Sequence, residues 1–286
     1  MPTSDAHLPP LDRTIAAIRR RVGAWRGAAE RVALVPTMGA LHEGHLALVE
    51  RAREAAERVV VSVFVNPTQF APTEDFASYP RDEEADLAAL GRLGVDAVFA
   101  PSVGEMYPEG FATSVAVAGP AEGLETDFRP HFFGGVATVV AKLLIACVPD
   151  SAVFGEKDYQ QLLVIRRVVA DLGLPVEIIA ARTVREADGL ALSSRNAYLS
   201  PAERQTAPAL HKSLIRAAAA IRAGAPVERV LSASAADLRV AGFRVDYVAL
   251  RNADTLAPVI DLKREPLRLL AAVWLGKTRL IDNIPA

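Results

Sequence analysis

Residues 32–45 read V-A-L-V-P-T-M-G-A-L-H-E-G-H, and this stretch decides the fold. The apolar run Val32–Pro36 predicts a short buried strand that ends in a turn at Gly39. Helical spacing of apolar residues follows, so His42 and His45 fall at a helix N-terminus and on nearly the same side of it. That end of a helix offers backbone N–H groups and partial positive charge, and imidazoles add hydrogen-bond donors. The stretch therefore predicts a site at which phosphate is bound and undergoes chemistry.

Two other interpretations of His42 and His45 compete with phosphate binding. H-E-G-H differs from the H-E-x-x-H zinc motif because its histidines are three residues apart and no third ligand is evident. A single histidine at a helix start is usually a surface or capping residue. Two histidines at this spacing, directly after a strand and a glycine turn, favour nucleotide phosphate.

The composition limits the class of protein. The chain has 286 residues, 51% of them hydrophobic, which is enough for two domains and excludes a disordered chain. A net charge of −2 argues against a nucleic-acid or anionic-membrane partner, and the apolar run Val139–Val148 is too short to cross a bilayer. The single cysteine, Cys147, predicts a buried thiol in a reducing compartment. Since no apolar secretory segment surrounds Asp5, we expect a cytoplasmic protein.

The first part of the chain alternates strand-like and helical patterns. The expected strands are Val32–Pro36, Val59–Val65, Val95–Ala100, Ala152–Phe154 and Val176–Ala180. The expected helices are Gly44–Glu57, Asp82–Leu93, Val136–Cys147 and Tyr159–Leu172. This alternation predicts an α/β fold with a Rossmann-like parallel sheet in an N-terminal catalytic domain, residues 1–184. Because such sheets bind ligands beyond the carboxyl ends of their strands, the residues that follow strands should converge on one crevice, namely His42, Asn66, Gly155 and Val184.

From Arg185 the pattern changes to that of a smaller α+β domain, residues 185–286, which we expect to act as a lid. Ser200-Pro201-Ala202-Glu203 is a capping box with proline in the first turn, and it predicts an Ala-rich helix to about Ala223. A second helix is expected near Val227–Val240. Strands are expected near Val245–Leu250 and Leu267–Trp274.

Lys157 and Arg195 lie in two polar segments that suit phosphate. Lys157 belongs to Gly155-Glu156-Lys157-Asp158, which follows a strand, and its ammonium could reach phosphates as a mobile charge. The alternative makes Asp158 a helix cap with Gln161 as its capping-box partner. Arg195 ends Ser193-Ser194-Arg195 in the loop Val184–Asn196, where two hydroxyls and a bidentate guanidinium match phosphate oxygens. The same string is also typical of a solvated linker.

Asn66 and Gln69 lie in the segment Phe64–Phe70 after the second long strand. Their amides could hold a small polar substrate. They could equally form a turn around Pro67.

Five motifs that occur in order carry a resemblance to a known family. They are V-P-T-M-G-A-L-H-E-G-H (35–45), F-V-N-P-T-Q-F (64–70), Y-P-R (79–81), F-G-E-K-D-Y-Q-Q (154–161) and V-R-E-A-D-G-L-A-L-S-S-R-N (184–196). Together they resemble the pantothenate synthetase (pantoate–β-alanine ligase) family of the H-x-G-H nucleotidyltransferase superfamily. The resemblance is dense from Val32 to Leu199 and diffuse beyond. It implies a homodimeric enzyme that uses ATP and Mg²⁺ to condense pantoate with β-alanine through a pantoyl adenylate, releasing pyrophosphate and then AMP.

The same resemblance implies roles for the matched residues. Gln69 and Gln161 would hold pantoate, with Gln69 also near β-alanine, and His45 would be the proton donor. Asp86 matches a position that can approach Mg²⁺, although it also fits an ordinary exposed helix residue. ATP would be contacted by Met38, Gly39, Ala40, Leu41, His42, Glu43, Gly44, His45, Gly155, Glu156, Lys157, Asp158, Val184, Leu192, Ser193, Ser194 and Arg195.

The implied chemistry agrees with these residue types. The carboxylate of pantoate is already ionised at neutral pH, so its attack on the α-phosphorus needs no general base. The attack does need charge neutralisation and in-line alignment. The expected catalytic groups are Mg²⁺, His42, His45, Lys157 and Arg195.

Two positions depart from the family pattern. Leu192 stands where the family usually has methionine, a change that conserves volume. In R-P-H-F-F-G-G-V (129–136) the histidine stands one position earlier than in R-P-x-H-F-x-G-V, and Phe132 takes its place. We expect Phe132 to pack as an apolar side chain and His131 to be dispensable, because a one-residue displacement in an extended segment reverses the face of a side chain.

Two competing functions remain open from the sequence. Another H-x-G-H adenylyltransferase, such as a dinucleotide-forming enzyme, would release a product that carries the nucleotide rather than free AMP. A non-catalytic nucleotide sensor with the same fold would be expected to lack a histidine or the lysine, and this chain has His42, His45 and Lys157.

Overall fold

The computed structural model describes residues 8–71, 76–77 and 79–286, so Asp5 lies outside it. The backbone divides into two units. The first unit contains the described residues up to Val117, His131–Glu156 and Val164–Ala181, and the second contains Ala118–Pro130, Lys157–Leu163 and Arg182–Ala286. The division of function after residue 184 stays a prediction.

The first unit is built on a six-stranded sheet in which every pair of neighbouring strands is parallel, as expected. The five expected strands form, with ends that move by at most two residues. A two-residue strand at the edge was not predicted, because two residues carry no periodicity. The strands are β1 (Leu11–Asp12), β2 (Val32–Thr37), β3 (Arg58–Val63), β4 (Ala97–Phe99), β5 (Ser151–Gly155) and β6 (Glu177–Ala181).

Strand order places the candidate site at β2. The order is β1-β4-β3-β2-β5-β6, so the chain winds outward from β2 in one direction and then returns to start again at β5. Such a reversal opens a crevice beyond the carboxyl ends of the two central strands. Val32, Ala33, Leu34 and Val35 of β2 are completely buried, which explains the unbroken apolar run of this strand.

The helices of the first unit cover this sheet. Helix α6 begins four residues earlier than predicted, because Gly134 and Gly135 have low helix propensity and hid its first turn. Helix α1, rich in arginine, was not predicted. The helices are α1 (Ile15–Gly27), α2 (Glu43–Ala55), α3 (Glu83–Arg92), α4 (Val103–Met106) and α6 (Phe132–Cys147), and α7 (Tyr159–Asp171) begins in the second unit and ends in the first.

The second unit packs helices on a three-stranded antiparallel sheet of order β7-β8-β9. The capping box at Ser200 is confirmed, but the expected single helix to Ala223 is wrong. It is divided near Pro208, which has no N–H to donate and crowds the preceding turn. The elements are α5 (Glu125–Phe128), α8 (Pro201–Thr206), α9 (Ala209–Arg222), α10 (Val227–Val240), β7 (Arg244–Asn252), β8 (Leu267–Leu275) and β9 (Thr278–Pro285).

Each unit has its own apolar core. In the first, Val35, Val61 and Leu90 belong to one cluster, and in the second Leu214, Leu238 and Leu269 belong to another. Cys147 is buried as expected. Among the described helices, none has the length and apolar character needed to cross a bilayer.

Candidate active site

His42 and His45 lie at the N-terminus of α2, as predicted, and form a reciprocal cap there. His42 is the N-cap residue, with extended backbone, and its Nδ1 accepts a hydrogen bond from the Gly44 N–H at 3.1 Å. The Nδ1 of His45 accepts from the His42 N–H at 3.3 Å. The two ring centres are 4.1 Å apart, with planes inclined by 33°. A pair of imidazoles thus does what serine and glutamate do in an ordinary capping box.

These contacts fix the tautomer of both rings. A neutral imidazole has one nitrogen that donates and one that accepts. Since both Nδ1 atoms accept from backbone N–H groups, the proton of each neutral ring lies on Nε2. Each neutral ring therefore carries an Nε2–H donor at the helix start, whereas the N–H groups of His42 and Gly44 are already used in the cap.

Asp86 holds the turn that precedes the histidines. Its carboxylate oxygens accept hydrogen bonds from the Ala40 N–H at 3.0 Å and the Leu41 N–H at 2.8 Å. The backbone at Gly39 and Ala40 is left-handed, with φ of +79° and +51°. A Cβ at Gly39 would lie 3.0 Å from Asp86 Oδ2, so only glycine lets the turn approach the carboxylate this closely.

The alternative that placed Asp86 on an exposed helix face is wrong, because only 5% of the residue is exposed. Burial raises the pKa of Asp86, and the hydrogen bonds from Leu41 and Ala40 act in the opposite direction. Within the part of the chain that the structure describes, no cluster of three or more His, Cys, Asp or Glu side chains could hold a metal ion on its own.

Asn66 and Gln69 lie on a 3₁₀ turn, Pro67–Gln69, after β3. Asn66 is 1% exposed, and its side-chain oxygen accepts from the Thr68 N–H, the Thr68 hydroxyl and the Tyr107 hydroxyl at 3.3, 3.0 and 2.8 Å. Its Nδ2 donates to Gly135 O at 3.2 Å. The amide of Asn66 therefore fixes the turn that carries Gln69, whose side chain is also buried.

Gly135 completes this turn and was missed as a site residue by the sequence analysis. A Cβ on Gly135 would lie 2.4 Å from Thr68 O and 3.0 Å from Gln69 N, so α6 can approach the turn only with glycine there. The neighbouring Gly134 meets nothing within 4 Å. The pair of glycines was visible in the sequence, but only the structure shows which of them is required.

His131 precedes α6 and is exposed, with helical φ and ψ of −87° and −14°. His131 therefore does not lie in an extended segment as predicted, and one residue of displacement in a helical segment rotates a side chain by about 100° rather than to the opposite face. Phe132 is half-buried, and its ring centre lies 5.0 Å from that of Phe133 in an edge-on arrangement. Phe132 thus packs as an apolar side chain.

We expect His131→Ala to keep most of the activity that the family resemblance implies, since the imidazole is exposed and the expected steps do not require a histidine there. Initial rates of AMP release at saturating substrates, with a thermal melt to verify folding, would check this. A folded variant without activity would show that His131 has taken over the role of the family histidine.

In the second unit, Lys157 lies in a 3₁₀ turn, Glu156–Asp158, just before α7. Its Nζ is 3.7 Å from Asp158 Oδ2, and its backbone oxygen accepts from Asn283 Nδ2 at 2.8 Å. Gln161 is half-buried on the first turn of α7. Its neighbour Gln160 is buried and donates to Pro120 O and Gly123 O, so Gln160 holds residues 118–130 in the unit.

The loop from Val184 to Asn196 is an ordered hairpin rather than a solvated linker. Arg185 and Ala191 form an antiparallel bridge, and the Leu192 N–H donates to Val184 O at 3.0 Å. Ser193 caps a 3₁₀ turn, Ser194–Tyr198, by accepting from the Arg195 N–H at 3.3 Å. The hairpin thus presents Ser193, Ser194 and Arg195 on a short turn of defined conformation.

The predicted residues are divided between the two units. The first unit holds the histidine turn, residues 38–45, together with Asn66, Gln69, Asp86, Gly155 and Glu156. The second holds Lys157, Asp158, Gln161, Val184 and residues 192–195. Within the first unit, the ends of β2, β3 and β5 lie at one edge of the sheet, which brings the residues after them to that edge as expected.

Comparison with known proteins identifies the family. The family model for pantoate–β-alanine ligase matches residues 11–285. A pantothenate synthetase of Paramagnetospirillum magneticum is 59% identical over 273 residues, which is 95% of this chain and 96% of that protein. Pantothenate synthetase 2 of Bradyrhizobium diazoefficiens is 56% identical over 277 residues, 96% of this chain and 98% of that protein.

Solved structures agree with the sequence comparison. The crystal structure of pantothenate synthetase from Thermus thermophilus superposes with a TM-score of 0.89 and 51% identity, covering 96% of this chain and 98% of that one. Pantoate–β-alanine ligase from Francisella tularensis, crystallised with beta-gamma ATP and β-alanine, gives a TM-score of 0.82 at 31% identity and covers 97% of each chain. The chain therefore belongs to the pantoate–β-alanine ligase family and is an ATP-dependent enzyme with that activity.

Proposed function

We propose that the enzyme works in two steps through a pantoyl adenylate. In the first step a carboxylate oxygen of pantoate forms a bond to the α-phosphorus of ATP, and the bond to the β-phosphate oxygen breaks to release pyrophosphate. In the second step the amine of β-alanine bonds to the acyl carbon, AMP leaves, and the amine proton passes to solvent. The observation that carries the proposal is the pair of histidine Nε2–H donors at the N-terminus of α2.

The roles in the first step follow from charge. Pantoate arrives as an anion, so the enzyme must lower the repulsion between two negative groups and align them rather than remove a proton. His42 and His45 donate hydrogen bonds to phosphate oxygens, and Lys157 and Arg195 add positive charge. Correct alignment is worth about 7–11 kcal/mol in well-oriented systems.

The ligand assignments are supported by the relative from Francisella tularensis, which was crystallised with beta-gamma ATP and β-alanine. We assign the same two ligands to this chain, with pantoate held by Gln69 and Gln161. Asn66 contributes to substrate binding by fixing the turn of Gln69.

Mg²⁺ is proposed as the counterion of the ATP phosphates. Magnesium bound to a nucleotide keeps several waters and takes only one or two carboxylates from the protein, so a single carboxylate fits this need. Each oxygen of Asp86 uses one lone pair for a backbone N–H, which leaves acceptor capacity for a water of the ion. When bound, Mg²⁺ would neutralise phosphate charge.

A pyrophosphate-exchange assay tests the two-step reaction. With ATP, Mg²⁺ and pantoate alone, labelled pyrophosphate should enter ATP, and omission of pantoate should abolish the exchange. Exchange that strictly requires β-alanine would contradict the adenylate.

We also propose that the enzyme is a cytoplasmic homodimer. The buried, unpaired Cys147 supports a reducing compartment. The dimer is supported by residues 112–118, whose backbone joins neither sheet and whose side chains are mostly exposed. The Val115 N–H of this segment donates to Thr138 Oγ1 at 2.9 Å, and its remaining backbone lies outside both sheets, where it is suited to pairing with a second copy of the chain.

A further inference from the structure

Asp282 and Asn283 are adjacent polar residues on β9, and both are buried, with 3% and 4% of their surface exposed. Consecutive residues of a strand project from opposite faces of the sheet, so the two side chains serve different neighbours. Buried polar groups cost free energy unless they are hydrogen-bonded. The hydrogen-bond partners of Asp282 and Asn283 therefore indicate what the two residues do.

Asp282 anchors the hairpin that carries Ser193, Ser194 and Arg195. Arg185, at the start of the hairpin, donates from Nη1 and Nη2 to the two carboxylate oxygens at 2.7 and 2.8 Å. His211 Nδ1 lies 3.2 Å from Oδ2 of the same carboxylate. Although burial opposes ionisation, hydrogen bonds from His211 and Arg185 hold the pKa of Asp282 below its ordinary value. The hairpin is thus tied to a charged group inside the unit.

The contacts of Arg185 also fix the part of the hairpin that leads to Ser193, Ser194 and Arg195. Arg185 Nη1 also donates to Gly189 O at 3.1 Å, which ties the tip of the hairpin to the same guanidinium. The bridge between Arg185 and Ala191 joins its two sides. The position of the turn that begins after Leu192 therefore depends on the position of Arg185.

Asn283 holds the segment of Lys157. Its Nδ2 donates to Lys157 O at 2.8 Å, and its Oδ1 accepts from Arg268 Nε at 2.8 Å. The guanidinium of Arg268 lies 4.0 Å from the centre of the Tyr159 ring. The amide of Asn283 is thus oriented from both ends, and it fixes the backbone from which the Lys157 side chain projects.

We propose that Asp282 and Asn283 are positioning residues for adenylation. They hold the hairpin of Arg195 and the segment of Lys157 in a fixed position relative to each other. The proposal deepens the function proposed above and rests on the roles given there to Lys157 and Arg195. Adjacent residues on a strand are about 3.3 Å apart along its axis. Both phosphate-binding segments are therefore held by one short piece of β9. Asp282 and Asn283 each act on the reaction through the segment that they hold.

Asn283→Asp tests one half of the pair. Aspartate keeps an oxygen for Arg268 but replaces the donor to Lys157 O with an acceptor. In pantoate-dependent pyrophosphate exchange we expect kcat to fall by about 10–10²-fold, since a displacement of about 1 Å can cost 10²-fold, while the KM for pantoate stays unchanged. Tyr247→Phe is the matched control, because it removes another buried hydrogen bond of this unit, to Glu125 at 2.9 Å, without touching Lys157.

A double-mutant cycle separates positioning from a structural role. If Asn283 acts through Lys157, Asn283→Asp should have no further effect on kcat in the Lys157→Ala background. Effects that multiply, or an equal loss of kcat in Tyr247→Phe, would overturn the proposal. Normal exchange in Lys157→Ala alone would instead show that the role assigned to Lys157 under the proposed function is wrong.

The Asp282 half is tested through its partner. Arg185→Lys keeps the positive charge but cannot make the two-bond contact with the carboxylate. We expect a lower kcat in the exchange assay and no further loss when Arg185→Lys is added to Arg195→Ala. Independent, multiplying losses would show that Asp282 only stabilises the fold.

Discussion

Replacing His45 with asparagine is expected to slow formation of the pantoyl adenylate by about 10²–10³-fold, the usual cost of one lost transition-state donor, while the protein stays folded. Asparagine is a good capping acceptor, and its Oδ1 can replace Nδ1 in the hydrogen bond from the His42 N–H. It has no group in the place of Nε2–H. The substitution therefore removes the donor and keeps the cap. Pantoate-dependent pyrophosphate exchange measures the rate of adenylate formation. A thermal melt measures whether the stability contributed by the cap is kept.

His45→Gln is the matched control, because its longer amide can bring an N–H donor near the place of Nε2. We expect it to stay folded, because glutamine at this position can also accept from the N-cap N–H, and to exchange pyrophosphate faster than His45→Asn. His45→Ala loses both contacts and should be both slow and less stable. Near-normal exchange in His45→Asn would show that the Nε2–H of His45 has no part in phosphate chemistry.

Gly135→Ala is expected to lower kcat/KM for pantoate by about 10²-fold, the scale of a displacement of about 1 Å. The added Cβ would lie 2.4 Å from Thr68 O, which is backbone and cannot move aside as a flexible side chain would. The Pro67–Gln69 turn must then shift, and Gln69 shifts with it. Steady-state rates at varied pantoate, with ATP and β-alanine saturating, measure the effect.

Gly134→Ala is a control one residue away in the same helix. A Cβ there meets nothing within 4 Å, and alanine in a helix is favoured over glycine by up to about 1 kcal/mol. We expect normal kinetics and a slightly higher melting temperature. If Gly135→Ala also binds pantoate normally while its melting temperature falls, the close approach of α6 serves the fold and not the substrate.

The parallel sheet could be predicted because each of its main strands is recognisable from its own short stretch of sequence. β2 and β5 are buried on both faces, so their sequences are plain apolar runs, and the helices between them show regular spacing. β9 was missed for the opposite reason. Asp282 and Asn283 interrupt its apolar pattern, and their burial depends on partners at Arg185 and Lys157 that lie about a hundred residues away in the chain.

The site was predictable where residue type and local position suffice. His42 and His45 could be placed at a helix start from the turn before them. Their hydrogen-bonding direction could not, because it depends on which backbone N–H groups each ring meets. Asp86 shows the same limit, since its charge pattern on α3 fits exposure while a turn from a distant segment covers it.

The reciprocal cap of the two histidines restricts what His45 can do in the reaction. Its Nδ1 accepts a hydrogen bond from the His42 N–H, so the neutral ring carries its only proton on Nε2. Giving up that proton would leave an imidazolate, a far stronger base than any phosphate oxygen of ATP. In the proposed mechanism His45 would therefore polarise the phosphate without protonating it, and the same ring would be ready for the next turnover without a proton being returned to it.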